Sequence, residues 1–438
     1  MVRDPDPPVT NPKARMNRPA SPAADPDRPM SGSDAAANGL DGLARRVGRL
    51  WNWLWARPLP VPSDRLRVGP FRPGAFAARS ARLTSALGLL LGVAFGICFA
   101  TGLLSHFIQH PPPWFWWPSR PVGLYRVTQG VHVATGLASI PLLGAKLWSV
   151  YPRLFTWPPA RTLAHAAERA SVALLVAGGL FQLLSGVLNV ARWYSPMPFF
   201  FTTGHYWVAW LTVGALLVHI AVQLPVVRTA LRGRASPDAG RRQVLLGAGV
   251  AAGLITLTTV GETVRPLSRA AVLAPRRPAI GPQGLPVNKT ALGAGVRAIA
   301  SDPAYTLVVT GPAGPVRLDL AALNALPQHT VVLPIACVEG WSASATWTGV
   351  RLRDLVALAG ADPGRASVLV ESLEAGSRYR SSTVEPPLTA DPFTLIALRL
   401  RGEVLHLDHG YPARLIAPNR PGVLQTKWVG RMTVREMR

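Results

Sequence analysis

The sequence predicts a multidomain protein with a four-helix transmembrane bundle, a fifth transmembrane helix, and then a mixed α+β domain that is mostly β. Three observations lead to this fold class. Five stretches lack Asp, Glu, Lys and Arg, and each approaches the roughly 20 residues that cross a hydrocarbon core. Beyond a Pro/Arg-rich linker, short apolar runs alternate with turn residues. The 438 residues are 49% hydrophobic and 16% charged, which is too apolar for a disordered or wholly soluble chain, and the length allows two or three domains.

Residues 1–75 form the first predicted segment, and they are rich in Pro, Asp, Ala and Arg with little apolar periodicity. We therefore expect a flexible cytoplasmic arm and no signal peptide. Its one aromatic cluster is Trp51, Trp53 and Trp55. Because Trp beside Arg suits the headgroup layer, this cluster is either a short interfacial helix or an apolar patch on a solvated tail.

Residues 76–230 are predicted to form the four-helix membrane domain, because they contain the first four charge-free stretches. These stretches are residues 83–104, the segment between Arg126 and Lys146, the segment between Arg169 and Arg192, and about residues 204–227. Residues 231–282 are predicted to contain the fifth helix, between Arg242 and Glu262, and the linker after it.

The basic residues predict how the helices are oriented. Nine lie in the two connections that follow the second and fourth stretches, and three lie in the connections that follow the first and third. Lys and Arg are enriched on the cytoplasmic side, so we expect these two connections and the N-terminus in the cytoplasm. The fifth helix then places the remaining chain on the outer face. The nine residues are Lys146, Arg153, Arg161, Arg169, Arg228, Arg232, Arg234, Arg241 and Arg242; the three are Arg120, Arg126 and Arg192.

The entrance to the fifth helix has a paired arginine, Arg241 and Arg242, followed by an Ala/Gly-rich apolar segment. This pattern resembles a twin-arginine export signal placed inside the chain, which would export a domain already folded around a cofactor. The alternative is an ordinary basic flank of a transmembrane helix.

Residues 283–438 are predicted to form the β-rich domain. Segments such as YTLVVTG, TVVLPIA, SVLVES and TLIALRL alternate with turn residues and are typical of strands. The segment VRLRDLVALAG predicts one helix. About 155 residues suffice for a separate hydrophobic core.

The net charge of +24 raises the question of nucleic-acid binding. Only 4 of the 46 basic residues are Lys, and the Arg residues are scattered along the chain, so we expect no nucleic-acid partner. The two cysteines, Cys98 and Cys337, cannot form a disulfide framework and are interpreted singly.

Cys337 lies in LPIACVEGWS, at the end of a predicted strand. A thiolate on such a loop is a soft ligand for a transition metal. The alternative is a small buried hydrophobic residue, which is the usual role of a free cysteine.

Three separated segments in order, CVEGWS, TWTGVRLRDLVALAG and HGYPARLIAPNRPGVLQTKWVGRMTV, resemble the molybdenum-cofactor domain of the sulfite oxidase family. The size and plan are similar to those of the catalytic subunit of bacterial protein-methionine-sulfoxide reductases. The resemblance implies oxygen-atom transfer at a Mo-molybdopterin cofactor, with Cys337 as the catalytic molybdenum ligand. The implied pterin-contacting residues are Asn288, Ser372, His409, Arg414, Gln425, Thr426 and Lys427.

The substrate is left open between a small oxyanion and a sulfoxide. Sulfite oxidases hold an oxyanion with Arg and Tyr, for which Arg378, Tyr379 and Arg380 are candidates only. The Tyr-Glu pair of the sulfoxide enzyme is missing, because Ala291 and Leu292 stand at its place.

Six of the nine histidines lie in or beside the predicted membrane helices, where an ionisable residue points to function. His205 and His219 are 14 residues apart, a rise of about 21 Å on nearly one helix face. The pattern resembles the cytochrome b subunits of formate dehydrogenases and the b561 group. It implies an outer haem b held by His132 and His205. The six are His106, His110, His132, His165, His205 and His219.

The resemblance also implies an inner haem at His219, although the first helix has no histidine to complete that site. His165 is a possible substitute there, and His106 or His110 compete for the outer site. The alternative is a membrane anchor whose histidines only hydrogen-bond between helices.

Together these observations predict a multi-pass protein of a bacterial cell membrane with an extracytoplasmic molybdopterin domain. Its partners would be the lipid bilayer and the quinone pool or another redox partner. The alternative function is an inactive relative that serves as a membrane-anchored binding or scaffold module. Trp114, Trp116 and Trp117 are expected to form an interfacial belt rather than a docking site.

Overall fold

The computed structural model describes residues 80–154, 162–232, 239–261 and 265–436. The predicted N-terminal arm, residues 1–75, lies outside the described residues. In these ranges five long helices precede the strands, and all five are long and apolar enough to cross a membrane. They coincide with the five predicted stretches. They are α1 Ala81–Gln109, α2 Leu124–Leu154, α3 Leu163–Val190, α4 Phe201–Arg232 and α5 Ala239–Val260.

Local signals explain where these helices begin and end. The Ser80 hydroxyl accepts a hydrogen bond from the Leu83 amide at 3.2 Å and caps the start of α1. Thr162 caps α3 in the same way, with 3.1 Å to the His165 amide. Three prolines follow His110 directly, and proline cannot continue a helix because it lacks an amide hydrogen.

The helices pack in a simple order, α1 against α2, α3 against α4, and α5 against α2. Small residues allow the close approaches. A Cβ at Gly178 of α3 would lie 2.4 Å from the Thr212 hydroxyl of α4, so only glycine suits that position. Large apolar side chains such as Leu89, Leu184 and Leu217 remain exposed, as expected for a surface that faces lipid.

Residues 285–436 form the β-rich domain, with two five-stranded sheets. One sheet has the order β2-β1-β10-β5-β6; the other has the order β3-β4-β7-β8, with β9 beside β7. The strands are β1 Thr306–Gly311, β2 Gly314–Asp319, β3 His329–Ala336, β4 Ser342–Arg351, β5 Ala366–Ser372, β6 Ser381–Val384, β7 Leu395–Leu400, β8 Glu403–Val404, β9 Arg414–Ile416 and β10 Val429–Glu436. The short helices are α6 Arg297–Ala300, α7 Leu320–Ala325, α8 Leu352–Leu358 and α9 Pro386–Thr389.

The four predicted strand segments correspond to β1, β3, β5 and β7, and the predicted helix is α8. The alternation of buried and exposed residues along β1 and β3 places one face of each strand in a core. Leu307 and Val368 of the first sheet share that core with Ile396 and Leu415 of the second. The two sheets therefore pack face to face, as the fold class requires.

The β domain docks on the ends of the helices through Asn419. Its side chain accepts a hydrogen bond from the Tyr125 amide at 2.6 Å and donates to the Pro118 carbonyl at 2.6 Å. Its amide donates to the Val122 carbonyl at 3.2 Å. A single buried asparagine thus satisfies three backbone groups of the segment before and at the start of α2.

Trp117 corrects the prediction of an interfacial aromatic belt. Its indole N–H donates to the Asn419 carbonyl at 2.8 Å, so this tryptophan belongs to the docking surface. Trp114 and Trp116 are 72% and 66% exposed. The prediction was wrong for Trp117 because its partner lies 302 residues away in the sequence.

Asn419→Ala is expected to loosen the docking of the β domain. It would leave the Tyr125 amide and the Pro118 carbonyl without partners, at about 1–3 kcal/mol each. We expect a lower thermal unfolding temperature and faster proteolysis of the linker between α5 and residue 285. The control is Asn324→Ala, because Asn324 bonds only to the Leu320 carbonyl on an exposed helix. Equal stability of the two variants would contradict the assigned role.

Candidate functional site

Cys337 lies directly after β3, at the start of a tight loop, Cys337–Trp341, which we call the Cys337 loop. The Cys337 amide donates to the Trp341 carbonyl at 2.9 Å, and the Gly340 amide donates to the Cys337 carbonyl at 3.1 Å. The Asn288 side-chain amide donates to the thiol sulfur at 2.9 Å. Burial, with a contribution from the Glu339 carboxylate, raises the pKa of the Cys337 thiol above its ordinary value.

A cavity of about 170 Å³ surrounds the thiol, and we call it the β-domain cavity. It brings together seven of the eight site residues that were predicted in this domain: Asn288, Cys337, Ser372, Arg414, Gln425, Thr426 and Lys427. Gln425 and Thr426 are also fully bonded within the domain, Gln425 to Ala417 and Thr426 to Ser382.

His409 is the eighth predicted residue, and the structure places it behind the cavity rather than on its wall. Its Nε2 donates to the Pro282 carbonyl at 2.7 Å. Its own carbonyl accepts a hydrogen bond from Arg414 at 3.0 Å. Burial lowers the pKa of His409 to about 4, so the ring is neutral near pH 7. His409 therefore supports Arg414 from behind.

Arg414 and Lys427 make the cavity cationic. Arg414 is buried, and its Nε has no hydrogen-bond partner among the described residues. Burial lowers the pKa of Arg414 to about 10, which leaves it charged near pH 7. Lys427 donates only to the carbonyls of Lys289 and Asp408, at 2.9 and 2.6 Å, and burial lowers its pKa. Within the described ranges neither cation forms an ion pair. A buried, charged guanidinium without a counter-ion, beside a basic lysine, favours an anionic ligand.

The loop after α3 contributes Arg192 to the surroundings of Cys337. In the sequence, this residue predicts only the orientation of the helices. Arg192 adopts a left-handed backbone conformation with φ of 55°. Its Nε pairs with the Glu339 carboxylate at 3.1 Å, and its Nη2 donates to the Asn288 carbonyl at 2.5 Å. Glu339 is buried and also accepts from the Trp341 indole at 3.1 Å. The helix domain thus contributes directly to the surroundings of Cys337.

The candidates for binding an oxyanion separate in the structure. Tyr379 lines the β-domain cavity, whereas Arg378 and Arg380 do not. Arg378 instead lies over the Phe200 ring, 4.3 Å from its centre, and contacts Thr203 of α4. Lys289 and Glu374, which form an ion pair, also line the cavity and had no signal in the sequence.

A second cavity, of about 190 Å³, lies among α1, α2, α3 and α4, and we call it the helix cavity. His132 and His205 line it from α2 and α4, with ring centres 6.3 Å apart and an angle of 75° between the rings. A Cβ at Gly102 would lie 2.8 Å from the His132 ring, so glycine leaves the space for this imidazole.

One nitrogen of each imidazole already has an oxygen partner. His132 Nδ1 donates to the Cys98 carbonyl at 2.8 Å. His205 Nδ1 lies 2.9 Å from the Ser185 hydroxyl, which itself donates to the Gln182 carbonyl at 3.3 Å. Histidines that bind metals are commonly oriented by such a bond at the other ring nitrogen. Nε2 of each ring therefore remains for a ligand.

The other membrane histidines lie differently. His106 stacks on Tyr206 at 3.8 Å and on His110 at 4.8 Å, and both histidines line the helix cavity. His219 is half-buried on α4 and lies outside the lining of that cavity. In the part of the chain that the structure describes, no second histidine ring contacts His219.

Residues 294–438 match the protein family described as "Oxidoreductase molybdopterin binding domain". Mitochondrial sulfite oxidase from Drosophila melanogaster is 28% identical over 156 residues, which cover 30% of this chain and 27% of that protein. The protein-methionine-sulfoxide reductase catalytic subunit MsrP from Gluconobacter oxydans is 32% identical over 143 residues, which cover 29% of this chain and 46% of that protein.

The chain thus spans between about a quarter and a half of the length of these relatives. Among solved structures, the sulfane dehydrogenase SoxCD from Paracoccus pantotrophus aligns at 25% identity with a TM-score of 0.28. That alignment covers 31% of this chain and 39% of the other.

Proposed function

We propose that this chain, whose C-terminal part is a molybdopterin-binding oxidoreductase domain of the sulfite oxidase and MsrP type, is a membrane-bound oxygen-atom-transfer enzyme that exchanges electrons through a b-type haem. The observation that supports it most is that the buried Cys337 lines the β-domain cavity while the next residue, Val338, lines the helix cavity with its paired imidazoles.

The residues of the β-domain cavity suit a Mo-molybdopterin cofactor. The cofactor would supply oxygen-atom transfer with a two-electron change at the metal. Cys337 would bind molybdenum as a thiolate, since metal coordination removes a thiol proton that burial alone retains. Arg414 and Lys427 would hold the anionic pterin side, and the unpartnered Arg414 Nε provides a free donor for it.

The proposed substrate is a small oxyanion or a sulfoxide. Tyr379 lines the cavity near Cys337 and carries a hydroxyl suited to bind an oxygen of either class. Sulfite oxidase and protein-methionine-sulfoxide reductase, the named relatives, act on one class each.

Lys427→Met is expected to reduce the pterin and molybdenum content of the purified protein. A charged hydrogen bond is worth about 1.5–3 kcal/mol, so affinity should fall roughly ten- to a hundredfold. The thermal unfolding temperature of the cofactor-free protein should also fall, because the carbonyls of Lys289 and Asp408 lose their donor, so cofactor content is measured well below that temperature. Arg317→Met, on the exposed side of β2, is the control. Full cofactor content in Lys427→Met would show that this lysine does not bind the cofactor.

The helix cavity suits one haem b between His132 and His205. His132 and His205 would hold the iron through Nε2, since each Nδ1 already has an oxygen partner. Their ring centres are 6.3 Å apart. Among the described residues, no group of three or more His, Cys, Asp or Glu is arranged to hold a metal. Two histidines in an apolar cavity therefore favour a metal whose other ligands come with it, as in haem.

A second haem at His219 stays a prediction. His219→Ala tests it, because loss of a second component from the haem spectrum would support an inner haem. The proposed electron partner is the quinone pool, which reaches a haem site from within the bilayer.

The proposed location is a bacterial cell membrane, with the N-terminus in the cytoplasm and the β domain outside. The distribution of basic residues supports this orientation. Asn419 contacts the start of α2, and the loop after α3 carries Arg192 to Glu339, so the β domain lies at the helix ends predicted to be outer.

Replacing Arg241 and Arg242 with Lys is expected to trap the β domain inside the cell, if the pair is a twin-arginine signal. The charge is unchanged, so a basic flank would still function. A reporter fused after residue 280, active only outside the cytoplasm, measures the result. In the control variant, Lys replaces Arg228 and Arg232, which belong to the same basic group between the fourth and fifth predicted stretches. If the variant with Lys at positions 241 and 242 is exported normally, the arginine pair is a basic flank that sets the orientation of the helix and not an export signal.

A further inference from the structure

The Cys337 loop lies at the boundary between the two cavities. Cys337 lines the β-domain cavity, and the next residue, Val338, lines the helix cavity together with His132 and His205. Val338 is the one residue of the described β domain that lines the helix cavity. A single peptide unit therefore connects the proposed molybdenum ligand to the wall of the proposed haem site.

Two helices hold this peptide unit from the membrane side. Gln129 of α2 donates to the Val338 carbonyl at 2.9 Å, and Asn189 of α3 donates to the same oxygen at 3.3 Å. Both amide side chains are buried, and Tyr194 donates to the Asn189 side-chain oxygen at 3.0 Å, which orients it. A carbonyl with two fixed donors has little freedom to move.

The remainder of the loop is held as closely. Gly340 has φ of +97°, and a Cβ there would lie 3.0 Å from both methyl groups of Val133. Only glycine therefore allows this contact with α2. On the other side, Arg192 pairs with Glu339. Both flanks of the loop thus contact the helix domain.

We propose that residues 337–340 form the electron-transfer contact between the two cofactor sites, which Gln129 and Asn189 hold in place as positioning residues. The proposal rests on the proposed function. Each passage moves one electron, so one centre is oxidised while the other is reduced. Two passages match one oxygen-atom transfer, and a carrier of the quinol/quinone class supplies or removes the electron pair at the haem. No bond forms or breaks in the loop.

The first test is the double variant Gln129→Met and Asn189→Leu, which removes both donors to Val338 with little change in volume. Haem and molybdenum contents and the haem spectrum are measured first. The protein is then reduced with dithionite, freed of excess dithionite and of the sulfite it forms, and mixed with methionine sulfoxide. In the other direction it is oxidised, freed of the oxidant and mixed with sulfite. We expect the haem to change oxidation state at least about tenfold more slowly than in the wild type, since small displacements are costly in such contacts.

A second readout requires no turnover. In the wild type, oxidised haem should speed the spin relaxation of the Mo(V) electron paramagnetic resonance signal, and the double variant should weaken this effect. Arg120→Ala is the control, because it removes the Arg120–Asp391 ion pair elsewhere in the same interface. Equal slowing by Arg120→Ala would overturn the proposal in favour of general docking, and so would unchanged rates and relaxation in the double variant.

If the double variant loses a cofactor, Gly340→Ala replaces it, since its added methyl meets Val133 and displaces the loop. An unchanged rate in Gly340→Ala with both cofactors present would again overturn the proposal. A wild type without haem or molybdenum would instead overturn the proposed function, so the two failures are distinguishable.

Discussion

Cys337→Ser is expected to reduce oxygen-atom transfer at least about a hundredfold, since even partners behind a metal ligand are worth about 10–100-fold. Serine preserves the size of the side chain and removes the soft sulfur that molybdenum favours. The Asn288 side-chain amide would lose the sulfur that accepts its hydrogen bond, and the smaller serine hydroxyl fits in the same place. The fold should therefore survive, and the thermal unfolding temperature should remain close to that of the wild type.

The measurements are molybdenum content, turnover with sulfite and with methionine sulfoxide, and the haem spectrum. The spectrum should be unchanged, because Cys337 does not line the helix cavity. Arg317→Met is the control, since Arg317 lies on the exposed side of β2 and lines neither cavity. If Cys337→Ser left all functions of the protein in the cell unchanged, the β domain would be better described as a scaffold module.

His132→Ala and His205→Ala are each expected to abolish the b-type haem spectrum of purified membranes. Either change removes one of the two imidazoles that face each other at 6.3 Å, and a haem with one protein ligand is held less firmly. Dithionite-reduced minus oxidised spectra and haem extraction measure the loss. His329→Ala is the control, because His329 lies on β3 beside Asp354, far from the helix cavity in the fold.

A second substitution separates loss of ligation from loss of folding. His205→Met should retain haem with a changed spectrum and a higher reduction potential, because methionine is an alternative axial ligand that raises the potential. An unchanged spectrum in both alanine variants would exclude the two-histidine site. The stacked His106 and His110, which line the same cavity, would then be the next candidates.

Much of the architecture followed from local properties of the chain. The bilayer requires each crossing segment to bond its own backbone, so an apolar stretch of sufficient length predicts a helix. All five stretches are helices, from Ala81–Gln109 to Ala239–Val260. The strand segments of the β domain were similarly predictable, because alternation of buried and exposed side chains is itself a local pattern.

The residues around the site were predicted less evenly. Cys337 and Lys427 came from motifs, and both line the β-domain cavity. No such motif marked Arg192, Glu339 or Gln129. In the sequence, a charged loop residue or a polar helix residue looks the same whether its side chain faces water or another part of the protein. Their roles come from contacts with residues about 100 to more than 200 positions away.

Sequence alone thus predicted the five long apolar helices and the strands of the β domain, since each depends on residues close together in the chain. Tertiary structure decided that one loop contacts both cavities, that Trp117 docks the two parts, and that His409 lies behind Arg414. These features depend on packing between helix ends and a β domain that are separated by most of the chain. Only the folded protein brings such distant groups within hydrogen-bonding distance.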